Sequence, residues 1–162
     1  MLYRLKMEES LEQPDQPPPC ITIQGEVDVD YDWLQQHAAK ALLCLKKPSS
    51  SIAVLVINDD EMAELHQKHS GIEGTTDVLT FDNGSSSDAI IADIAVCVDV
   101  ANRESKNRGH SLQHELLLYI VHGVLHCCGF DDCDKESHRK IHAEENRVLA
   151  AIGVGEIWGT SS

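Results

Sequence analysis

The chain has 162 residues, 42% apolar and 25% charged, with six cysteines and a net charge of −14. That length suits one domain with a core of its own and no disulfide staples. The acidic balance excludes a protein that coats nucleic acid through a broad basic face, and no apolar run approaches the length of a membrane span. The start, Met1-Leu2-Tyr3-Arg4-Leu5-Lys6, lacks the apolar centre of a secretory leader, so a cytoplasmic protein with reduced thiols is expected. No Cys-x-x-Cys pair occurs, which excludes a four-cysteine zinc ribbon on spacing.

Residues 1–19 are polar and proline-rich and read as a mobile tail, because they bury too little apolar surface to offset their ordering entropy. One domain is expected over residues 20–153, with a small polar tail at 154–162 interrupted by Trp158. Cys20 to Gln24 alternates and predicts a strand. Asp30 caps a helix from about Tyr31 to Lys46, with Trp33, Leu34, Ala38, Leu42 and Leu45 on one stripe. After Pro48 to Ser51, the continuous apolar run Ile52 to Ile57 predicts a buried strand. Asn58-Asp59-Asp60 then caps a helix to about His69. Its His66 and His69 have no third donor nearby and read as ordinary polar residues.

Thr76 to Phe81 and Ala89 to Val98 predict two more strands, separated by a flexible loop at Gly84 to Ser87. A short helix runs to about Gly109. Ser111 caps a long apolar helix through Leu125, with Glu115 near its positive end. A last helix follows Asp134, with Ile141, Val148, Leu149 and Ile152 inward. Its His138 and His142 sit among Lys135, Glu136, Arg139, Lys140, Glu144 and Glu145. That setting reads as a charged exposed face, with a second or rival metal site as the alternative. The order of elements predicts an α/β (α+β-like) domain: a four-stranded mixed sheet packed with helices, a parallel crossover first and an antiparallel edge after it.

The chemistry is concentrated in His122-Gly123-Val124-Leu125-His126 and the Cys127-Cys128-Gly129-Phe130-Asp131-Asp132 that follows. Residues i and i+4 of a helix lie about 40° apart around the axis, so both imidazoles reach one point at the helix's C-terminal end. Gly129 lets the chain reverse and return a third donor. Asp132 is the preferred donor, with Asp131 and Cys133 as alternatives. Cys127 and Cys128 point roughly 140° and 240° from His122, and His114 lies roughly 12 Å back along the axis. The residue after the first histidine is Gly123, where zinc peptidases of the HExxH kind carry their general base; peptide hydrolysis is disfavoured.

This run resembles the signature of the YbeY family of endoribonucleases, bacterial-type rRNA maturation factors, which reads roughly HGxLHLxGYDH. Thr76-Asp77-Val78-Leu79-Thr80-Phe81 is similar to the family's TDVLSF segment, and Ala92-Asp93-Ile94 to its GDI strand. Arg103-Glu104 stands where the family often has Arg-Glu-Ala, and the three blocks keep order and spacing over about residues 20 to 150. The resemblance implies a zinc-dependent, single-strand-specific endoribonuclease in small-subunit rRNA 3′ end maturation and ribosome quality control. Its substrate would be RNA within ribosomal particles, with no DNA or membrane partner. Two positions depart from the pattern: Asp132 replaces the family's third histidine ligand, and Ser70 stands where the family has an arginine. Lys68 is close by but lacks the guanidinium fork.

The expected site is therefore one Zn2+ on His122, His126 and Asp132 with a fourth position for water. Arg103 would steady phosphate charge, and Asp77 and Thr80 would contact the substrate. The rival readings are a ribosome-associated binding factor with a structural metal, and a metal-dependent hydrolase of peptides or small molecules.

Overall fold

The computed structural model describes residues 17–158; the tail expected at the N-terminus, up to residue 16, and residues 159–162 lie outside the described residues. Among the described residues four strands and five helices follow one another as β1 (Cys20–Gly25), α1 (Tyr31–Cys44), β2 (Ser51–Ile57), α2 (Asp59–Ser70), β3 (Val78–Asp82), β4 (Ile91–Cys97), α3 (Val98–Arg108), α4 (Leu112–Cys127) and α5 (Lys135–Ala151). The sheet order is β1-β2-β4-β3. β1, β2 and β4 are parallel, and β3 runs antiparallel along the edge of β4. This is the mixed sheet that the sequence predicts.

The helix boundaries follow local chemistry. Asp30 accepts from Trp33 N at the start of α1. The helix stops short of the expected Lys46 because Lys46 itself turns left-handed, at φ +60. Asn58 and Glu61 form a reciprocal capping box on α2, which ends at a left-handed Gly71. Ser111 and Asp134 cap α4 and α5 by accepting from His114 N and Ser137 N.

α4 carries the core. Every side chain from Glu115 to Val121 is buried, and the helix packs against α1, α3, α5, β3 and β4. A helix apolar all round is stable only where neighbours cover it on all sides. Ile52, Val54, Val56, Ala92, Ile94 and Val96 meet it from the sheet. On the opposite face a smaller cluster of Met62, Ala95 and Cys97 lies under α2. That cover is partial, which corrects one expectation. β2 is buried on a single face: Ile52, Val54 and Val56 point inward while Ala53 and Leu55 stay exposed, because α2 reaches β4 rather than β2.

Gly123 marks the closest approach of helix to sheet. A Cβ there would lie 2.7 Å from Thr80 Oγ1 and 3.1 Å from Ile94 Cδ1, side chains of the cross-strand pair beneath it. Glycine stands after the first histidine for want of space. Gly123→Ala should therefore destabilise the fold by about 1–2 kcal/mol. That figure is an overpacking cost partly offset by alanine's helix preference of about 1 kcal/mol. Urea unfolding reads the change, and Thr80→Ala added to it should restore part of the loss through its direct coupling to residue 123.

Candidate metal centre

The C-terminal turn of α4 presents both histidines at the surface of the core. His122 Nε2 and His126 Nε2 lie 3.0 Å apart. Past the helix end Gly129 adopts φ +101, and Gly129 N and Phe130 N donate back to His126 O and Leu125 O. This reversal returns the next residues over the histidine pair. Asp132 Oδ2 comes within 3.5 Å of His122 Nε2, and its Oδ1 within 3.9 Å of His126 Nε2. One donor atom from each of the three residues lies within 4.8 Å of the others. Ligands around a tetrahedral zinc-like ion, each ~2 Å from it, stand ~3.3 Å apart, so the donor set fits an ion. The alternative third donors do not converge: Cys133 Sγ donates to Asp131 Oδ1 at 3.3 Å, so the two are turned to each other.

His122 is held by a carboxylate that the sequence reading left on an exposed face. Glu145 of α5 is fully buried; its Oε2 accepts from His122 Nδ1 at 2.6 Å and its Oε1 accepts from Trp158 Nε1 at 2.6 Å. A proton on Nδ1 leaves the Nε2 lone pair facing Asp132 and His126, the carboxylate–histidine arrangement that orients metal ligands. Burial pulls the His122 pKa down, but the hydrogen bond and charge of Glu145, with Asp77 and Asp132 behind them, win and hold it above its ordinary value. The signal for Glu145 was present in the sequence: it shares the helical stripe of Ile141, Val148 and Leu149, where an acid is a core position needing a partner. Trp158 gave no such signal, because its contact is set by how the chain folds back along α5.

A cleft of about 420 Å³ opens beside the triad, lined by Asp77, Thr80, Ser70, His69 and Cys127 among others. Asp77, Thr80 and Ser70 share this wall with the triad. The cleft wall is acidic, and burial followed by the charge of Asp82 pushes the Cys127 thiol up to about 11, leaving it protonated at neutral pH. A larger hollow of about 490 Å³ near Gly25 and Val56 has only Glu26 and Glu61 as titratable residues and brings no donor set together. His66 and His69 hold separate contacts, as their reading as ordinary polar residues implies: His66 Nδ1 bonds Gly74 O, and His69 packs edge-on against Phe81.

Arg103 is not brought to the cleft. Its guanidinium forms a two-pronged pair with Asp59, 2.8 and 3.1 Å, tying α3 to the start of α2. Arg108, which the sequence reading passed over, instead lines a second cavity behind His122, where it pairs with the buried Glu115 and lies over the Trp158 ring.

The class of protein is set by fold and donor set together: a mixed-sheet α/β domain with two histidines and an aspartate converging beside a polar cleft. A family model described as Endoribonuclease YbeY matches residues 22–153. The chain is 37% identical over 146 residues to an Endoribonuclease YbeY of Salinispora tropica, covering 81% of this chain and 93% of that one. It is 33% identical over 134 residues to the Endoribonuclease YbeY of Thermobifida fusca, covering 76% and 86%. The solution structure of TM1509 from Thermotoga maritima superposes with a TM-score of 0.53 at 26% identity, over 81% of this chain and 90% of that one. The chain belongs to the endoribonuclease YbeY family. Among the described residues no helix is long and apolar enough to cross a membrane.

Arg103 holds the Asp59 carboxyl down at about 2. A depressed carboxyl adds stability above its unfolded value of about 4, and that stability is lost as pH falls through the folded value. Arg103→Ala should lower the thermal midpoint at neutral pH, with the difference from wild type shrinking below pH 4 and closing near pH 2. Thermal melts across that range read it. A constant difference would mean that the pair contributes nothing through charge.

Proposed function

We propose that the chain is a zinc-dependent endoribonuclease that cleaves single-stranded RNA in small-subunit rRNA 3′ end maturation and ribosome quality control, acting within ribosomal particles in the cytoplasm. The observation that carries the reading is the convergence of His122, His126 and Asp132 beside the cleft, in a chain whose relatives are endoribonucleases by name. When bound, a zinc ion polarises a phosphoryl oxygen and lowers the pKa of adjacent water. His122 keeps its tautomer through Glu145, and Asp132 supplies the negative charge where the family has a neutral histidine. An anionic third ligand strengthens electrostatic attraction for the ion. Asp77 and Thr80 supply polar contacts to the RNA from the β3 side of the cleft. Arg103, fixed on Asp59, acts on the site only through the packing of α3 against α4.

A second reading is supported by the absence of any arginine or lysine from the residues lining that cleft: a ribosome-associated binding factor in which the ion is structural. A hydrolase of peptides is disfavoured by Gly123, since the crowding above Thr80 leaves no room for a general base there.

Elemental analysis should find zinc in the purified chain and less of it in Asp132→Ala. Glu145→Gln, which weakens the orientation of His122, should reduce zinc affinity by about 10–100-fold. His126→Ala should abolish cleavage of a single-stranded rRNA fragment while its circular dichroism remains that of the wild type. Cleavage that survives His126→Ala overturns the metal-nuclease reading. A folded, zinc-loaded wild-type chain that leaves RNA intact favours the binding factor.

A further inference from the structure

The second histidine pair, with His138 exposed and His142 half-buried, is drawn together at the rim of a cavity. His138 Nε2 and His142 Nε2 lie 3.0 Å apart, the same separation as the pair on α4. Their rings meet edge to face at 72°, as those of His122 and His126 do at 79°. His142 stacks flat on Trp158, with ring centres 3.8 Å apart. Trp158 is itself fixed: its indole donates to Glu145, and its backbone N–H and carbonyl both bond the Asn146 side chain. The imidazole plane of His142 is thus set before any ligand arrives.

Both histidines line a cavity of about 360 Å³ whose other walls include Asp77, Asp132 and His122. Tyr119, 3% exposed, also lines it, with its buried hydroxyl beside the Glu115 carboxylate.

We propose that His138 and His142 form a second transition-metal site, separate from the triad of His122, His126 and Asp132 and opening on the cavity that His122 and Asp132 also line. Two nitrogens about 3.0–3.4 Å apart match adjacent ligand positions around an ion ~2 Å from each. Imidazole donors select zinc, nickel or copper over magnesium or calcium. Asp77 and Asp132 give the cavity the negative charge that a divalent cation requires, and water would complete the coordination. The site does not depend on the nuclease reading and stands or falls separately from it.

The test is equilibrium dialysis of the metal-stripped full-length chain against Zn2+ alone, with bound zinc counted by elemental analysis. The wild type should hold one zinc more than the H138Q/H142Q variant and one more than the H122Q/H126Q/D132N variant. Zinc counts that are equal in wild type and H138Q/H142Q overturn the second site, whatever the triad variant shows. A second readout is independent of stoichiometry and of any thiol-bound zinc. In a Trp33→Phe chain that also carries H122Q/H126Q/D132N, Trp158 is the one remaining indole, and Cu2+ should quench its fluorescence. Adding H138Q/H142Q should abolish that quenching; quenching that persists unchanged overturns the proposal. Both histidines are at least partly exposed, so their substitution leaves the core intact.

Discussion

How closely α4 lies against the β3–β4 edge decides where the chemistry of this protein sits. The helix is buried along two full turns, and at Gly123 its backbone comes so near Thr80 and Ile94 that a methyl group would meet an oxygen at 2.7 Å. This contact sets the height and rotation of the last helical turn. His122 and His126 then emerge at the rim of the core, beside the cleft wall that β3 provides through Thr80 and Asp77. The glycine that excludes an HExxH peptidase is the same residue that makes the approach feasible.

Two buried glutamates organise what lies behind that rim. Glu145 faces His122 on one oxygen and Trp158 on the other, so a single carboxylate ties α4, α5 and the segment after α5 to one point. Glu115, one of the first residues of α4, is met by both Arg108 and His110 at the junction with α3. Buried carboxylates are costly unless their oxygens are paired, and here both have two partners. Arg108 links the systems, since it pairs with Glu115 and lies over the Trp158 ring. The walls of the cavity behind His122 are therefore positioned by charge pairs as well as by apolar packing.

The acidic character of the chain takes on a particular meaning at the site. Ser70 and Asp132 lie along the same cleft, which has no arginine or lysine among its lining residues. Asp77 and Asp82 deepen the negative potential there. Such a surface repels phosphate and attracts metal cations. Net charge alone would not bring a polyanion to this cleft.

The element order, the mixed sheet, the caps at Asp30, Asn58 and Ser111, and the meeting of His122 with His126 were legible in the sequence. Each of these rests on local periodicity or on side chains bonding backbone a few residues away. The convergence of Asp132 was legible too, because Gly129 lies at a fixed distance from the helix end. Other features had no local cause. Whether β2 was covered on one face or two depended on where α2 docked. Arg103 went to Asp59, 44 residues away in the chain, rather than to the cleft. Glu145, Trp158 and the orientation of His138 and His142 were decided by the packing of α5 against α4 and the return of the chain along it. Hydrogen bonds between residues distant in sequence exist only once the core has brought their helices together, and no spacing in a linear chain encodes that distance.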